Sequence, residues 1–306
     1  MRLVSFVMAG APAGRPWRFG GLLPDGTVLD AALALGETDG GCPEDFLDWF
    51  DLDGRWLPAV REAVEHASTP AGREALSGAV RDTAMLRWLA PVPRPGKIVA
   101  VGLNYRDHAA EARLEVPAEP VVFAKFSSAA AGSGHAIVLP ARAPRRVDFE
   151  AELVVVIGRR VRRVGPDEAR NAVLGYCNGN DVSARDLQKR EGQWVRAKSC
   201  DTFAPMGPWI LTSDEVGDPH ALDVQLRVNG ALMQSSNTRE MIFPIPDLVS
   251  FISQTVTLEP GDVIFTGTPP GVGFARRPPV YLQPGDEVVV EIGPLGRLVN
   301  PVAAEG

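Results

Sequence analysis

The sequence predicts a mostly β protein with some α-helix, preceded by a small α+β N-terminal domain. Three observations lead there. Short apolar runs recur through residues 91–306, closed by Gly, Pro, Asn or Asp; helical periodicity is confined to a few stretches; and the regular strand-helix alternation of a doubly wound fold is missing. The prolines of LAPVPRPG suit a domain edge, so the expected division is 1–90 and 91–306.

Taken in order, LVSFVMAG and WRFGGLLPDGTVLDAA read as short strands joined by a Pro-Asp-Gly turn. From Trp56 to Ala67, the apolar residues Trp56, Val60, Ala63, Val64 and Ala67 follow helical spacing, with Arg61, Glu62 and Glu65 on the other side. A second helix is expected across Leu76, Ala79, Val80 and Thr83, weakened by Gly78. Strands then dominate: KIVAVGLNY, PVVFAKF, AIVLP, AELVVVIG, VLGYCNGND, LDVQLRVNG, DVIFTGTP, YLQPGDEVVVEIG and LGRLVNP. Two helices interrupt them, PDEARNAVLG opening on Pro166 and Asp167, and IPDLVSFISQTV with a stripe of Ile245, Leu248, Val249, Ile252 and Val256. Pro-Gly-Asp turns at Pro260–Asp262 and Pro284–Asp286 each introduce an apolar strand.

Composition removes several function classes. A formal net charge of -7 argues against a broad nucleic-acid surface, and the cluster Arg159, Arg160, Arg162, Arg163 reads as a solvated turn. No run reaches the roughly 18 apolar residues of a membrane span, and the opening residues are too weakly apolar for a signal peptide. Cys42, Cys177 and Cys200 lack metal-ligand or disulfide-framework spacing, which points to a reducing compartment. A cytoplasmic protein is the expectation.

The chemistry is signalled first by Glu150 and Glu152, which open the apolar run LVVVIG. Residues at i and i+2 of a strand share a face, so both carboxylates reach one point. Asp181, closing GYCNGND, could supply a third oxygen donor from the next strand. Converging carboxylates repel one another unless a pKa rises or a cation binds, and an all-oxygen set suits Mg²⁺, Mn²⁺ or Ca²⁺.

Downstream and upstream segments add acid-base and donor groups. In NYRDHAAE, a helix starting at Arg106 would put His108 and Glu111 on one face, where the carboxylate orients the imidazole as a general base. Arg185, Gln188 and Lys198, just after Asp181, are hydrogen-bond donors suited to a substrate oxygen that gains negative charge. TGTPPGVG lacks the features of a nucleotide-binding loop, although Thr268 offers a hydroxyl. Cys200 has no base at a telling distance, and there is no GxSxG elbow, so acyl-enzyme chemistry is disfavoured.

Seven strings in register, GLNYRDHAAE, PVVFAKFSSA, DFEAELVVVIG, GYCNGNDVSARDLQ, AKSCDTFAPMGPW, VNGALMQ and PGDVIFTGTPPGVG, make residues from about 95 to 300 resemble the fumarylacetoacetate hydrolase superfamily. The N-terminal part looks like that of bacterial members related to oxaloacetate decarboxylases. The resemblance implies a mixed β-sandwich roll, a homodimer, and Mg²⁺ or Mn²⁺ on Glu150, Glu152 and Asp181, with Ca²⁺ as a substitute. It implies a lid in which His108 and Glu111 move a proton, an oxyanion site of Arg185, Gln188 and Lys198, and Thr268 at the substrate carboxylate. Arg106 completes the substrate-binding set. Neither nucleic acid nor membrane is an implied partner.

One enolate-stabilising site can serve three reactions. The expected activity is metal-dependent hydrolytic cleavage of a carbon-carbon bond in acylpyruvates (2,4-dioxo acids). Decarboxylation of oxaloacetate and isomerisation of 2-hydroxyhepta-2,4-diene-1,7-dioate are the enzymatic alternatives, and ligand binding without turnover is the non-enzymatic one.

Overall fold

The computed structural model describes all residues except 12–16, 37–41, 113–114 and 142–144. The architecture is mostly β with mixed sheets, as the sequence predicts. The larger sheet runs in the order Val80–Arg81, Val28–Asp30, Arg18–Leu22, Arg2–Met8, Ala204–Thr212, Val173–Asn180, Ala151–Ile157, Val263–Phe265, Ile98–Gly102, Val121–Lys125. Along that path the Val263–Phe265 and Ile98–Gly102 strands are parallel and the other pairs antiparallel. A second sheet has the order Ala231–Asn237, Asp223–Val228, Glu287–Ile292, Arg297–Ala304, Ile137–Leu139.

The strand Ala151–Ile157 organises the interior because every one of its residues is buried. Ala151, Leu153, Val155 and Ile157 pack into a core shared with Val224, Leu226, Val288 and Val290 of the second sheet and with Leu248 and Ile252. Val154 and Val156 face a different core, built with Leu3, Phe19, Trp49, Phe50, Leu57 and Val60. The period-2 alternation of a strand thus serves two cores. Glu150 and Glu152 have the parity of Val154 and Val156, which sets the side on which they emerge.

The helix Trp56–Ala67 matches the sequence expectation, and Leu57, Val60, Val64 and Ala67 are its buried residues. The second expected helix is corrected. A helix occupies Pro70–Ala75 instead, started by Thr69, whose hydroxyl accepts from the Gly72 amide, and by Pro70 in its first turn. Residues Val80 and Arg81, assigned to the helix from spacing, form a strand paired with Val28 and Leu29. The helix Ile245–Ser253 stops short of Val256, which is exposed.

Two further differences have physical reasons. The nine-residue strand Ala204–Thr212 was hidden by Pro205 and Pro208. Pro208 lies where the register with the neighbouring strand slips between Tyr176 and Asn178, so no regular ladder donor is lost there. The basic cluster is also less solvated than expected: Arg162 donates to the carbonyls of Ser253 (3.0 Å) and Gln254 (2.5 Å), satisfying the end of a helix. No helix among the described residues is long and apolar enough to cross a membrane.

Candidate active site

Strand pairing delivers the acids. Ala151 faces Asn180 and Glu152 faces Gly179, which leaves Asp181 opposite Glu150. The Asp181 amide donates to the Glu150 carbonyl (2.9 Å), and the Asn180 side chain accepts from the Glu150 amide (2.9 Å). Glu150, Glu152 and Asp181 each present an oxygen within 4.8 Å of the others, and all three are buried.

Cationic side chains close around them. Lys198 Nζ stands 2.6 Å from Glu150 Oε2 and 2.6 Å from Asp181 Oδ2. Arg185 donates through Nη2 to Glu150, through Nε to Asp148 (3.0 Å), and through Nη1 to Gln188 (3.0 Å). Lys125, which the sequence reading did not select, donates to Asp181 and to the Phe203 carbonyl (2.7 Å). Its signal was a single charge at the end of the apolar strand VVFAK. Asp148 was missed as well; it accepts from the amides of Gly273 (2.7 Å) and Phe274 (3.0 Å) and so ties Arg185 to that loop.

The electrostatics show an incompletely offset cluster. Burial raises the Glu150 carboxyl, but Arg185 and Lys198 outweigh it and hold the group below the usual carboxylate range. Burial together with repulsion from Asp181 and Glu150 pushes Glu152 well above that range. Burial lowers the Lys125 ammonium despite Asp181, whereas Asp181 and Glu150 overcome burial at Lys198 and raise it. A divalent cation at the three oxygens would relieve the repulsion at Glu152, so the donor set fits a hard metal ion.

The loop after Val263–Phe265 forms one wall. Gly267 has φ +101°, its amide donates to Glu152 Oε2 (2.8 Å), and a Cβ there would lie 2.7 Å from Asn104 Cβ. Thr268 Oγ1 accepts from Gln234 Nε2 (2.8 Å), and Gln234 Oε1 accepts from the Ala151 amide (2.8 Å). The Thr268 hydroxyl is therefore held by the strand that carries the acids.

His108 and Glu111 lie on the helix Arg106–Ala112, with His108 Nδ1 3.5 Å from Glu111 Oε2. Glu111 accepts from the Gly271 amide (3.2 Å), which docks the helix against the same loop. Among the described residues no hydrogen bond joins His108 to the three acids. Arg106 donates to the Met241 carbonyl (2.6 Å), away from the acid cluster's hydrogen bonds. Cys200 is partly buried and its thiol is raised by burial, which suits an inert group.

Comparison with known proteins agrees with this geometry. The family model described as the fumarylacetoacetate (FAA) hydrolase C-terminal matches residues 97–303. Over 99% of this chain and 91% of its own length, the mitochondrial oxaloacetate tautomerase FAHD2B of Bos taurus is 43% identical. The 5-carboxymethyl-2-hydroxymuconate delta-isomerase structure from Mycobacterium smegmatis has a TM-score of 0.74 at 34% identity, covering all of both chains. Maleylpyruvate hydrolase from Sphingobium sp. SYK-6, solved with manganese (II) and pyruvate, has a TM-score of 0.78 at 31% identity, again covering all of both chains. With the acids, the cationic surround and the family match in agreement, the chain belongs to the fumarylacetoacetate hydrolase family.

Proposed function

We propose that this chain is a divalent-metal-dependent enzyme of 2-oxo acids that stabilises an enolate. The convergence of Glu150, Glu152 and Asp181 beside two buried lysines and the part-buried Arg185 carries the reading. Mg²⁺ or Mn²⁺, with Ca²⁺ as a substitute, would polarise the carboxylate and keto oxygens of the substrate when bound. Lys198 and Arg185 are positioned to donate to an oxygen that gains charge, and Asp148 keeps the Arg185 fork from swinging. Gln188 steadies the same fork. His108, oriented by Glu111, takes or returns the proton, and Thr268 offers its hydroxyl to the substrate carboxylate. Arg106, held on a carbonyl, serves the substrate only by letting go of it.

Within this class the first reading is hydrolytic carbon-carbon cleavage of acylpyruvates, where His108 removes a proton from the attacking water. The likeness to a maleylpyruvate hydrolase supports it. A second reading, in which the same enolate forms by proton removal from oxaloacetate or an unsaturated dioate, or by loss of CO₂ from oxaloacetate, and is then reprotonated, is favoured by the higher identity to a protein named oxaloacetate tautomerase. Simple chelation without turnover would need neither His108 nor Glu111. Assaying acetylpyruvate, fumarylpyruvate, oxaloacetate and 2-hydroxyhepta-2,4-diene-1,7-dioate with Mn²⁺ separates these: pyruvate release from the first two supports hydrolysis, and enol-keto conversion or CO₂ release from the third, or isomerisation of the fourth, without cleavage of the first two, supports the second reading. No change in any of them defeats both.

The division into residues 1–90 and 91–306 and a cytoplasmic homodimer belong to the same proposal. The family match starting at residue 97 supports the first. The edge strand Val121–Lys125, with Val121, Val122 and the adjoining Phe126 exposed, offers a second copy an apolar pairing surface.

A further inference from the structure

We infer that Gln234 is a positioning residue: by filling a lone pair of the Thr268 hydroxyl, it commits that hydroxyl to donate its proton to a ligand oxygen. This rests on the reading of the chain as an enzyme of 2-oxo acids and adds a residue that acts only through Thr268. Gln234 closes the string VNGALMQ, for which spacing suggests no chemistry. The strand Ala231–Asn237 buries a single residue, and it is Gln234. Leu226 faces Gln234 while Arg227 faces Leu232, so Met233 falls outside the pairing and its carbonyl accepts from Arg276 instead. An extra residue of this kind re-aims the side chain beside it.

Two backbone groups of fixed polarity orient the Gln234 amide. The Ala151 amide can only donate, so it faces Oε1 (2.8 Å); the Pro269 carbonyl can only accept, so it faces Nε2 (2.8 Å). Exchanging oxygen and nitrogen would set donor against donor and acceptor against acceptor. Nε2 has one hydrogen left, and Thr268 Oγ1 lies 2.8 Å away. The hydroxyl therefore accepts, which leaves its own proton to give. Among the described residues no hydrogen bond uses that proton. Thr268 is buried and follows Gly267, whose amide donates to Glu152, so the unspent proton calls for an acceptor at the acids' border. An ionised carboxylate oxygen supplies one, and an O–H that already accepts a hydrogen bond is polarised into a better donor.

The test is a double-mutant cycle read by calorimetry, with Mn²⁺-loaded protein titrated with pyruvate. Thr268→Val, which deletes the hydroxyl, is expected to weaken pyruvate binding about tenfold, the loss of one hydrogen bond to a charged group. Gln234→Met should weaken it at least about threefold, because the freed hydroxyl is spread over three staggered positions. Made in the Thr268→Val background, Gln234→Met should change the affinity by less than about twofold. Neither substitution should change Mn²⁺ affinity. Normal pyruvate binding by Gln234→Met, a loss that persists without the hydroxyl, or a loss accompanied by weaker Mn²⁺ binding overturns the inference; the last two make Gln234 a strut between strand and loop. If circular dichroism shows that Gln234→Met does not fold, a crystal structure of the unaltered protein with Mn²⁺ and pyruvate decides. Thr268 Oγ1 within hydrogen-bond distance of both Gln234 Nε2 and a pyruvate oxygen supports the inference, and the absence of either contact overturns it. Pyruvate binding that is insensitive to Thr268→Val overturns it too, while the 2-oxo-acid reading stands. If pyruvate does not bind at all, that reading falls and the inference falls with it.

Discussion

Lys125 reaches across 56 positions of sequence to donate to Asp181, and both side chains are almost wholly withdrawn from solvent. Asp181 thus has two ammonium partners, Lys125 on one oxygen and Lys198 on the other. Removing Lys125 leaves Asp181 with Lys198 alone, an ammonium that Glu150 shares, so the buried acids are less fully compensated. Lys125→Met is therefore expected to destabilise the metal-free protein by about 3 kcal/mol. Because a cation at the acids replaces the lost charge, Mn²⁺ should raise the melting temperature of the variant more than that of the unaltered protein. An identical metal-induced rise in both would show that Lys125 does not serve the acid cluster.

His108 stands apart from the acids in the hydrogen-bond network, although its helix is docked on the loop that holds Glu152. Its substitution should separate chemistry from metal binding. His108→Ala is expected to keep Mn²⁺ affinity, read by calorimetry, while turnover of the responsive substrate falls by about 10²–10⁴. Full activity in this variant would reassign the base.

A stability test lies away from the site. His220 Nε2 accepts from the amide of Ile245, the first residue of the helix Ile245–Ser253. Burial lowers the His220 pKa, helped by Arg170 and opposed by Asp218 and Asp247. The unfolded chain then takes up this proton at a higher pH than the folded one. Stability from this group is complete above about pH 6.5 and declines as pH falls toward the lowered folded value. Melting temperatures measured between about pH 7.5 and pH 5 should drop, and His220→Gln, which keeps an acceptor, should drop less. Part of the residual slope belongs to His135, which burial shifts in the same direction. Parallel curves for the two proteins would remove His220 from the account.

Much of the active region was legible because its information is local. The spacing of Glu150 and Glu152 predicts a shared side, which Glu150 keeps although the strand starts one residue later at Ala151, and the apolar run after them announced a strand buried on two sides. The helix Trp56–Ala67 was legible for a similar reason, since its stripe persists for three turns. Where local signals conflicted, the reading failed. Gly78 and the short apolar run around it looked weakly helical, yet Val80 and Arg81 had a strand waiting at Val28 and Leu29.

What the sequence by itself determined was the set of acids, their shared face, and the donors that follow within 17 residues of Asp181. Periodicity and spacing are properties of the chain, so they can be read from it. The tertiary structure alone decided that Lys125 and Asp148 complete the cluster, that Arg106 turns to the Met241 carbonyl, and that Gln234 ties Thr268 to the strand of the acids. These pairings depend on which distant segments the two cores press together. Burial then makes each one matter, because a charge removed from water must find its partner wherever the fold has placed one.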